Sequence, residues 1–207
     1  LLGRHRRQVL IAFGGTLLNA VGFYLVLSYM PTYLATELGI SETAAFLGST
    51  ITLTVYLVSI FVMGALSDRL GRKAVLIACS VLFVVLTVPL FIALSSVSFA
   101  GLSSVGFLAI LGIWALFGAL LAMNGGTLPT LLCELFPTRV RYSGFALSFN
   151  AANALFGGTA PLIATWLIGA SGSKLAPAWF LVAAALVTLV AIAMTTAGRA
   201  GSTLKDD

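Results

Sequence analysis

The sequence predicts an all-α membrane protein of six transmembrane helices with both ends in the cytoplasm. Three observations carry this reading. The 207 residues are 60% hydrophobic and 8% charged, with mean hydropathy +1.11, whereas soluble domains carry about a quarter charged residues. Six apolar runs are each long enough to cross about 30 Å of hydrocarbon at about 1.5 Å per residue. Basic residues gather between these runs on alternate sides, the pattern that fixes orientation in a bilayer.

The runs lie at 9–34, 44–66, 74–95, 103–133, 142–168 and 177–197. Backbone polar groups cannot stay bare in lipid, so each run is a helix or belongs to a closed barrel. Runs this long and continuous lack the in–out alternation of barrel strands, so helices are predicted. The connections are short. With six spans, one side receives Arg4, Arg6, Arg7, Arg69, Arg72, Lys73, Arg139, Arg141, Arg199 and Lys205, and the other receives Lys174 alone. That asymmetry places both termini in the cytoplasm and supports the count of six, because one missed span would break the alternation. The net charge of +5 is spread over these clusters. It therefore reads as topogenic, and nucleic acid is not expected as a partner.

The spans differ in character. The third and sixth are almost entirely Ala, Val, Leu, Ile and Phe, and are expected to face lipid. The first carries Thr16, Asn19, Tyr24, Ser28 and Tyr29, the fourth Trp114, Asn124 and Thr127, and the fifth Ser148, Asn150, Asn153 and Thr159. Polar groups in membranes turn toward the bundle interior or an aqueous cavity, so these three spans are expected to line one. Likeness between positions three apart (one and four, three and six) points to two three-helix repeats, an arrangement of transporters. Pro89, Pro129 and Pro161 lie within spans, where each removes a backbone hydrogen bond and can bend its helix. Glycine pairs at Gly14-Gly15, Gly125-Gly126 and Gly157-Gly158 permit close helix packing. Cys79 and Cys133 read as buried free thiols, and His5 as part of a solvated basic stretch. No metal or other cofactor is expected. The chain starts at Leu1 without a signal-peptide pattern, which reads as a trimmed chain or a fragment.

Two loops carry motifs. Gly64-Ala65-Leu66-Ser67-Asp68-Arg69-Leu70-Gly71-Arg72-Lys73 forms the turn between spans two and three. Its glycines allow a sharp reversal, Asp68 can cap a helix start, and Arg69, Arg72 and Lys73 can pair with acids or lipid phosphates. This segment resembles motif A of the major facilitator superfamily, G-x-L-x-D-R-x-G-R-K, at every motif position. The stretch from Pro129 to Gly144, with Glu134, Phe136, Pro137 and Arg141 in an E-x-F-P-x-x-x-R pattern, is similar to that superfamily's loop between helices ten and eleven. Ser28-Tyr29-Met30-Pro31-Thr32-Tyr33-Leu34 resembles the end of helix seven in its metabolite:proton symporters. Phe149-Asn150-Ala151-Ala152-Asn153 with Gly157-Gly158-Thr159-Ala160-Pro161 resembles their helix eleven. Within that family the likeness is nearest to the bacterial transporters of proline and glycine betaine. The C-terminal end lacks the heptads of osmosensing members.

The resemblance implies the C-terminal six-helix half of a major-facilitator fold, in the bacterial inner membrane. It further implies a secondary active transporter that moves a small metabolite or osmolyte with protons, and an N-terminal six-helix half as partner. Asn19, Tyr24, Asn124, Asn150 and Asn153 are candidates for the substrate surface, with Trp114 and Tyr29 supplying aromatic faces. Amides and phenols can hydrogen-bond a zwitterion, and such faces can hold a quaternary ammonium. A cytoplasmic latch is expected from Gly64, Asp68, Arg69, Gly71, Arg72, Lys73, Glu134, Arg139 and Arg141, with Asp68 paired to Arg139 or Arg141 and Glu134 to Arg69 or Arg72. No Asp, Glu, His, Lys or Arg lies deep in any span, so a coupling proton is expected to bind the other half. The same absence argues against an intramembrane enzyme, which needs a base or paired acids in its spans. A channel should show rings of charge. A sugar-porter-type half, or a six-helix homodimer acting as transporter or channel, is the alternative.

Overall fold

The computed structural model describes residues 5–99 and 104–195. Arg4, Arg199 and Lys205 lie outside them. Six helices are long and apolar enough to cross a membrane. We number them α1 (Arg6–Leu38), α2 (Glu42–Leu70), α3 (Arg72–Phe99), α4 (Ser104–Leu135), α5 (Thr138–Ser171) and α6 (Ala176–Ala193). Most run a few residues past the apolar stretches, because polar end residues continue the helix into the interface. Ser41 caps α2, its side chain accepting from the Ala44 N–H at 3.4 Å with Glu42 in the first turn, a combination that satisfies free N–H groups and opposes the helix dipole.

α1, α4 and α5, the spans expected to line a cavity, are also the broken ones. α1 widens into a π-helix over Phe23–Tyr29 and resumes at Met30, with Pro31 in its next turn. α4 breaks at Gly126 and Thr127 and resumes at Leu128-Pro129. α5 has a π-helical stretch over Asn153–Gly157 and resumes at Ala160-Pro161. Proline has no N–H to donate, so the turn before it loses a bond. Wider turns re-register the ladder at that cost. Pro89 sits inside α3, which stays continuous.

Packing follows a pseudo-twofold pattern. α3 packs along α6. α1 packs against α6 and α5, and α4 packs against α3 and α2. Exchanging α1 with α4, α2 with α5 and α3 with α6 maps each pairing onto another, which is the two-repeat architecture. α1 is the central helix, with 72% of its most apolar stretch buried, against 17% for α2 and for α5. α3 and α6, expected to face lipid, expose Val81, Val85, Ile92, Leu186 and Val190 on their outer surfaces, but 39% and 56% of their most apolar stretches are buried, more than in α2 or α5. Their inner faces close the bundle. α2 and α5 show more open surface, including Phe46, Leu57, Phe61, Leu155, Leu162 and Trp166.

The core is aromatic in its middle. Tyr33 meets Phe91 edge-on at 5.6 Å, and Phe91 meets Phe117 at 5.7 Å. Such pairs add packing energy beyond their buried area. One polar side chain crosses between α6 and α1. The Thr188 hydroxyl donates to the Gly14 carbonyl at 3.0 Å and accepts from the Leu18 N–H at 2.9 Å. Those two groups are i and i+4 partners on the continuous Arg6–Gly22 stretch of α1, so Thr188 ties α6 to one turn of α1.

Candidate functional site

The three breaks lie where α1, α2, α4 and α5 converge, and there the bundle holds a cavity of about 260 Å³. Asn19, Phe23 and Tyr24 of α1, Tyr56 of α2, Gly125 and Pro129 of α4, and Phe149 and Asn153 of α5 line it. The π-helical turn of α1 carries Phe23 and Tyr24 to its wall. Phe23 stands edge-on to Tyr24 at 5.8 Å and to Tyr56 at 6.1 Å. Gly125 leaves space for Tyr56, whose hydroxyl would lie 2.5 Å from a β-carbon at that position. Asn153 donates from Nδ2 to the Phe149 carbonyl at 2.9 Å, which orients the amide.

No charged side chain lines this cavity. Its polar groups are two amides and two phenols, and its remaining wall is largely aromatic. Amides offer both donors and acceptors, and the faces of aromatic rings attract cations. The arrangement therefore suits a small neutral or zwitterionic solute, with few convergent polar groups among apolar walls.

Of the residues singled out in the sequence, Asn19, Tyr24 and Asn153 come together here. The others sit elsewhere. Trp114 is fully buried, and its Nε1 donates to the Val26 carbonyl at 2.7 Å. In the π register that carbonyl would look to the N–H of residue 31, which is proline, so the indole supplies the missing donor. Tyr29 is buried with its hydroxyl 3.0 Å from that of Thr165, joining α1 to α5. Asn150 is exposed on α5. Asn124 is fully buried beside the α4 break, and neither of its amide atoms has a hydrogen-bond partner among the described residues.

Phe23, Tyr56 and Phe149 line the cavity without having been singled out. Only the convergence of four helices brings these three to the cavity. Spacing did hold one signal, since Phe149 and Asn153 are four apart and share a helix face.

At the basic end, Arg72 is the hub. Its guanidinium lies 2.7 Å from Asp68, one turn back, and 2.6 Å from Glu134 at the end of α4. The Glu134 pairing matches one of the expected alternatives. The Asp68 pairing corrects the expectation of Arg139 or Arg141, because Arg72 follows Asp68 by four residues across the turn and reaches it first. Arg141 Nε instead donates to the Phe136 carbonyl at 3.3 Å. Gly71 makes the turn with φ +90°, ψ 133°, a conformation glycine adopts without strain. Lys73 Nζ donates to the Ala193 and Thr195 carbonyls at 2.9 and 2.5 Å, tying the turn to the end of α6. Asp68, Arg69 and Arg139 face outward. Glu134 is 6% exposed, a buried acid held by its arginine. Gly64 lies against Gly126, so the first position of the motif touches the α4 break.

The chain matches the family model described as "Sugar (and other) transporter" over residues 1–204. It is 34% identical over 187 residues to the citrate-proton symporter of Salmonella typhi, covering 89% of this chain and 42% of that protein. It is 35% identical over 189 residues to the glycine betaine/proline/ectoine/pipecolic acid transporter of Dickeya dadantii (strain 3937), covering 90% of this chain and 35% of that protein. The chain thus spans less than half the length of these curated relatives.

Proposed function

This chain belongs to the sugar (and other) transporter family of the major facilitator superfamily, and from that premise we propose that it is the C-terminal six-helix half of a proton-coupled secondary transporter for a small zwitterionic osmolyte. The observation that carries the substrate class is the cavity: two amides and four aromatic rings, with no charge. A betaine or proline presents a cationic nitrogen and a carboxylate. The nitrogen is suited to the rings of Phe23, Tyr24, Tyr56 and Phe149, and the carboxylate to the amide donors of Asn19 and Asn153. The transporter of Dickeya dadantii named above supports this reading. A tricarboxylate such as citrate would need cationic partners, which this half does not place at the cavity.

In this reading the basic ends face the cytoplasm, and the Arg72 network is the latch of one access state. Arg72 holds α4 through Glu134, Lys73 holds α6, and the outward-facing Asp68, Arg69 and Arg139 are available to the other half. The breaks in α1, α4 and α5 are where the spans bend. The unpaired amide of Asn124 supports two states, since an unsatisfied buried polar group costs about 1–3 kcal/mol that a partner found after bending would return. The coupling proton belongs to the other half, because the described spans hold no deep titratable carboxylate, histidine, lysine or arginine.

Uptake of labelled glycine betaine, proline, citrate and a hexose into cells or proteoliposomes carrying the full-length protein, with and without a protonophore, tests this. Betaine or proline uptake that collapses with the protonophore is expected. Citrate or hexose uptake without either osmolyte would overturn the substrate class, and protonophore-insensitive uptake would overturn the coupling.

A further inference from the structure

At the basic end of the bundle, α1 and α6 bound an apolar groove of about 540 Å³. Leu10 and Gly14 of α1 and Val187 and Val190 of α6 are among its walls, and Arg6 and Arg7 stand at its mouth. It shares no residue with the cavity described above. From Arg6 to Gly14 it runs about 12 Å along α1 at about 1.5 Å per residue, close to the roughly 15 Å hydrocarbon depth of one leaflet.

We propose that this groove is a binding site for an anionic phospholipid, with an acyl chain along the groove and the headgroup on Arg6 and Arg7. The charge pattern selects that occupant. Both arginines are exposed, and no acid lines the groove. The other negative feature nearby is the C-terminal end of α6, whose free carbonyls carry the negative pole of the helix dipole. Lys73 covers it by donating to the carbonyls of Ala193 and Thr195. A phosphate at the mouth therefore meets two guanidinium groups, with no opposing charge among the described residues that line the groove. Arginine is the side chain best matched to phosphate oxygens. Below the mouth the walls offer only apolar contact, which suits an acyl chain.

Native mass spectrometry of the full-length protein, released from micelles holding equal amounts of phosphatidylglycerol and phosphatidylcholine, tests the site. The wild type is expected to retain phosphatidylglycerol on the order of tenfold over phosphatidylcholine, since each basic side chain near a lipid surface contributes to anionic preference. The double variant Arg6→Gln/Arg7→Gln, altered only at exposed positions, is expected to retain the two lipids equally. Val190→Phe, which fills the groove, is expected to retain less of both. Equal retention by the wild type, or a preference unchanged in the double variant, overturns the proposal. So does rapid disulfide formation between cysteines placed at Val190 and Ser202 that added phosphatidylglycerol does not slow, because the chain's own tail would then be the occupant.

Discussion

The basic end of the bundle and its polar middle solve the same problem with opposite chemistry. At the basic end, full charges of opposite sign are brought together. Arg72 bridges Asp68 on its own turn and Glu134 on α4. In the middle no full charge appears. There the helices break before Pro31, Pro129 and Pro161, and a neutral side chain tends the freed backbone, Trp114 at Val26. The difference follows from what burial costs. A charge deep in a bilayer carries a penalty of several kcal/mol, whereas a neutral hydrogen bond can close a gap in a helix at modest cost. The end can therefore be strong and switchable by charge, and the middle must be supple and selective by shape.

Arg72→Ala is expected to have the largest effect on that contrast. It takes from Glu134, 6% exposed, the guanidinium that lies 2.6 Å away. Removing one partner of a buried pair costs about 3–5 kcal/mol. The lower figure applies here, because a quarter of the Arg72 side chain remains exposed. Thermal unfolding of the purified protein in detergent should register the loss, and Glu134→Gln on the Arg72→Ala background should recover part of it. An unchanged midpoint for the single variant would mean that the pair bears no weight.

How much of this was legible in the sequence divides along the same line. The basic end could be read because its chemistry is contiguous: the residues from Gly64 to Lys73 lie on one turn, and Glu134 sits in a second motif. What could not be read was partner choice, since Asp68 and Arg72 meet through helix geometry that a string of charges does not display. The six spans followed from hydropathy, and the breaks in α4 and α5 from Pro129 and Pro161, whereas Pro89 lies in a continuous helix and Pro31, after the α1 break, was not singled out as a bend. The cavity was only half visible. Asn19, Tyr24 and Asn153 stood out as polar groups in apolar runs, but so did Trp114, Tyr29 and Asn124, and polarity alone cannot separate a lining group from one that repairs a neighbouring helix. Tyr56 was hidden because α2 carries Ser49, Thr50, Thr52, Thr54 and Ser59 around it, hydroxyls that single out no one position. Thr188 was hidden because a lone threonine in an alanine-rich helix has no sequence context that points to α1.

A smaller effect separates two glycines that touch across α2 and α4. A β-carbon on Gly126 would lie 2.7 Å from the Ile60 carbonyl and 3.1 Å from the Gly64 nitrogen. Both are backbone atoms that cannot turn aside, so Gly126→Ala must push the helices apart, at a cost of about 1–3 kcal/mol. A β-carbon on Gly64 would meet only the Gly126 carbonyl, at 3.6 Å, an ordinary contact. Gly64→Ala should therefore stay within about 0.5 kcal/mol of the wild type in unfolding. If Gly64→Ala keeps that midpoint yet stops uptake, the motif glycine serves the second access state, and the line between a strong end and a supple middle moves one turn deeper.

The smallest expected effect bears on the middle alone. Asn153 lines the cavity and Asn150 is exposed on the same helix three residues earlier, so the pair separates position from composition. Asn153→Ala removes one amide from the solute's reach. A neutral hydrogen bond contributes about 1 kcal/mol, which corresponds to a rise in KM of about fivefold for the transported osmolyte, with the unfolding midpoint nearly unchanged. Asn150→Ala should leave KM where it was. If instead Asn150→Ala raises KM and Asn153→Ala does not, the solute contacts the outer face of α5 rather than the cavity. The selective surface would then be shared with whatever covers α5, and the neutral middle of this half would serve helix bending alone.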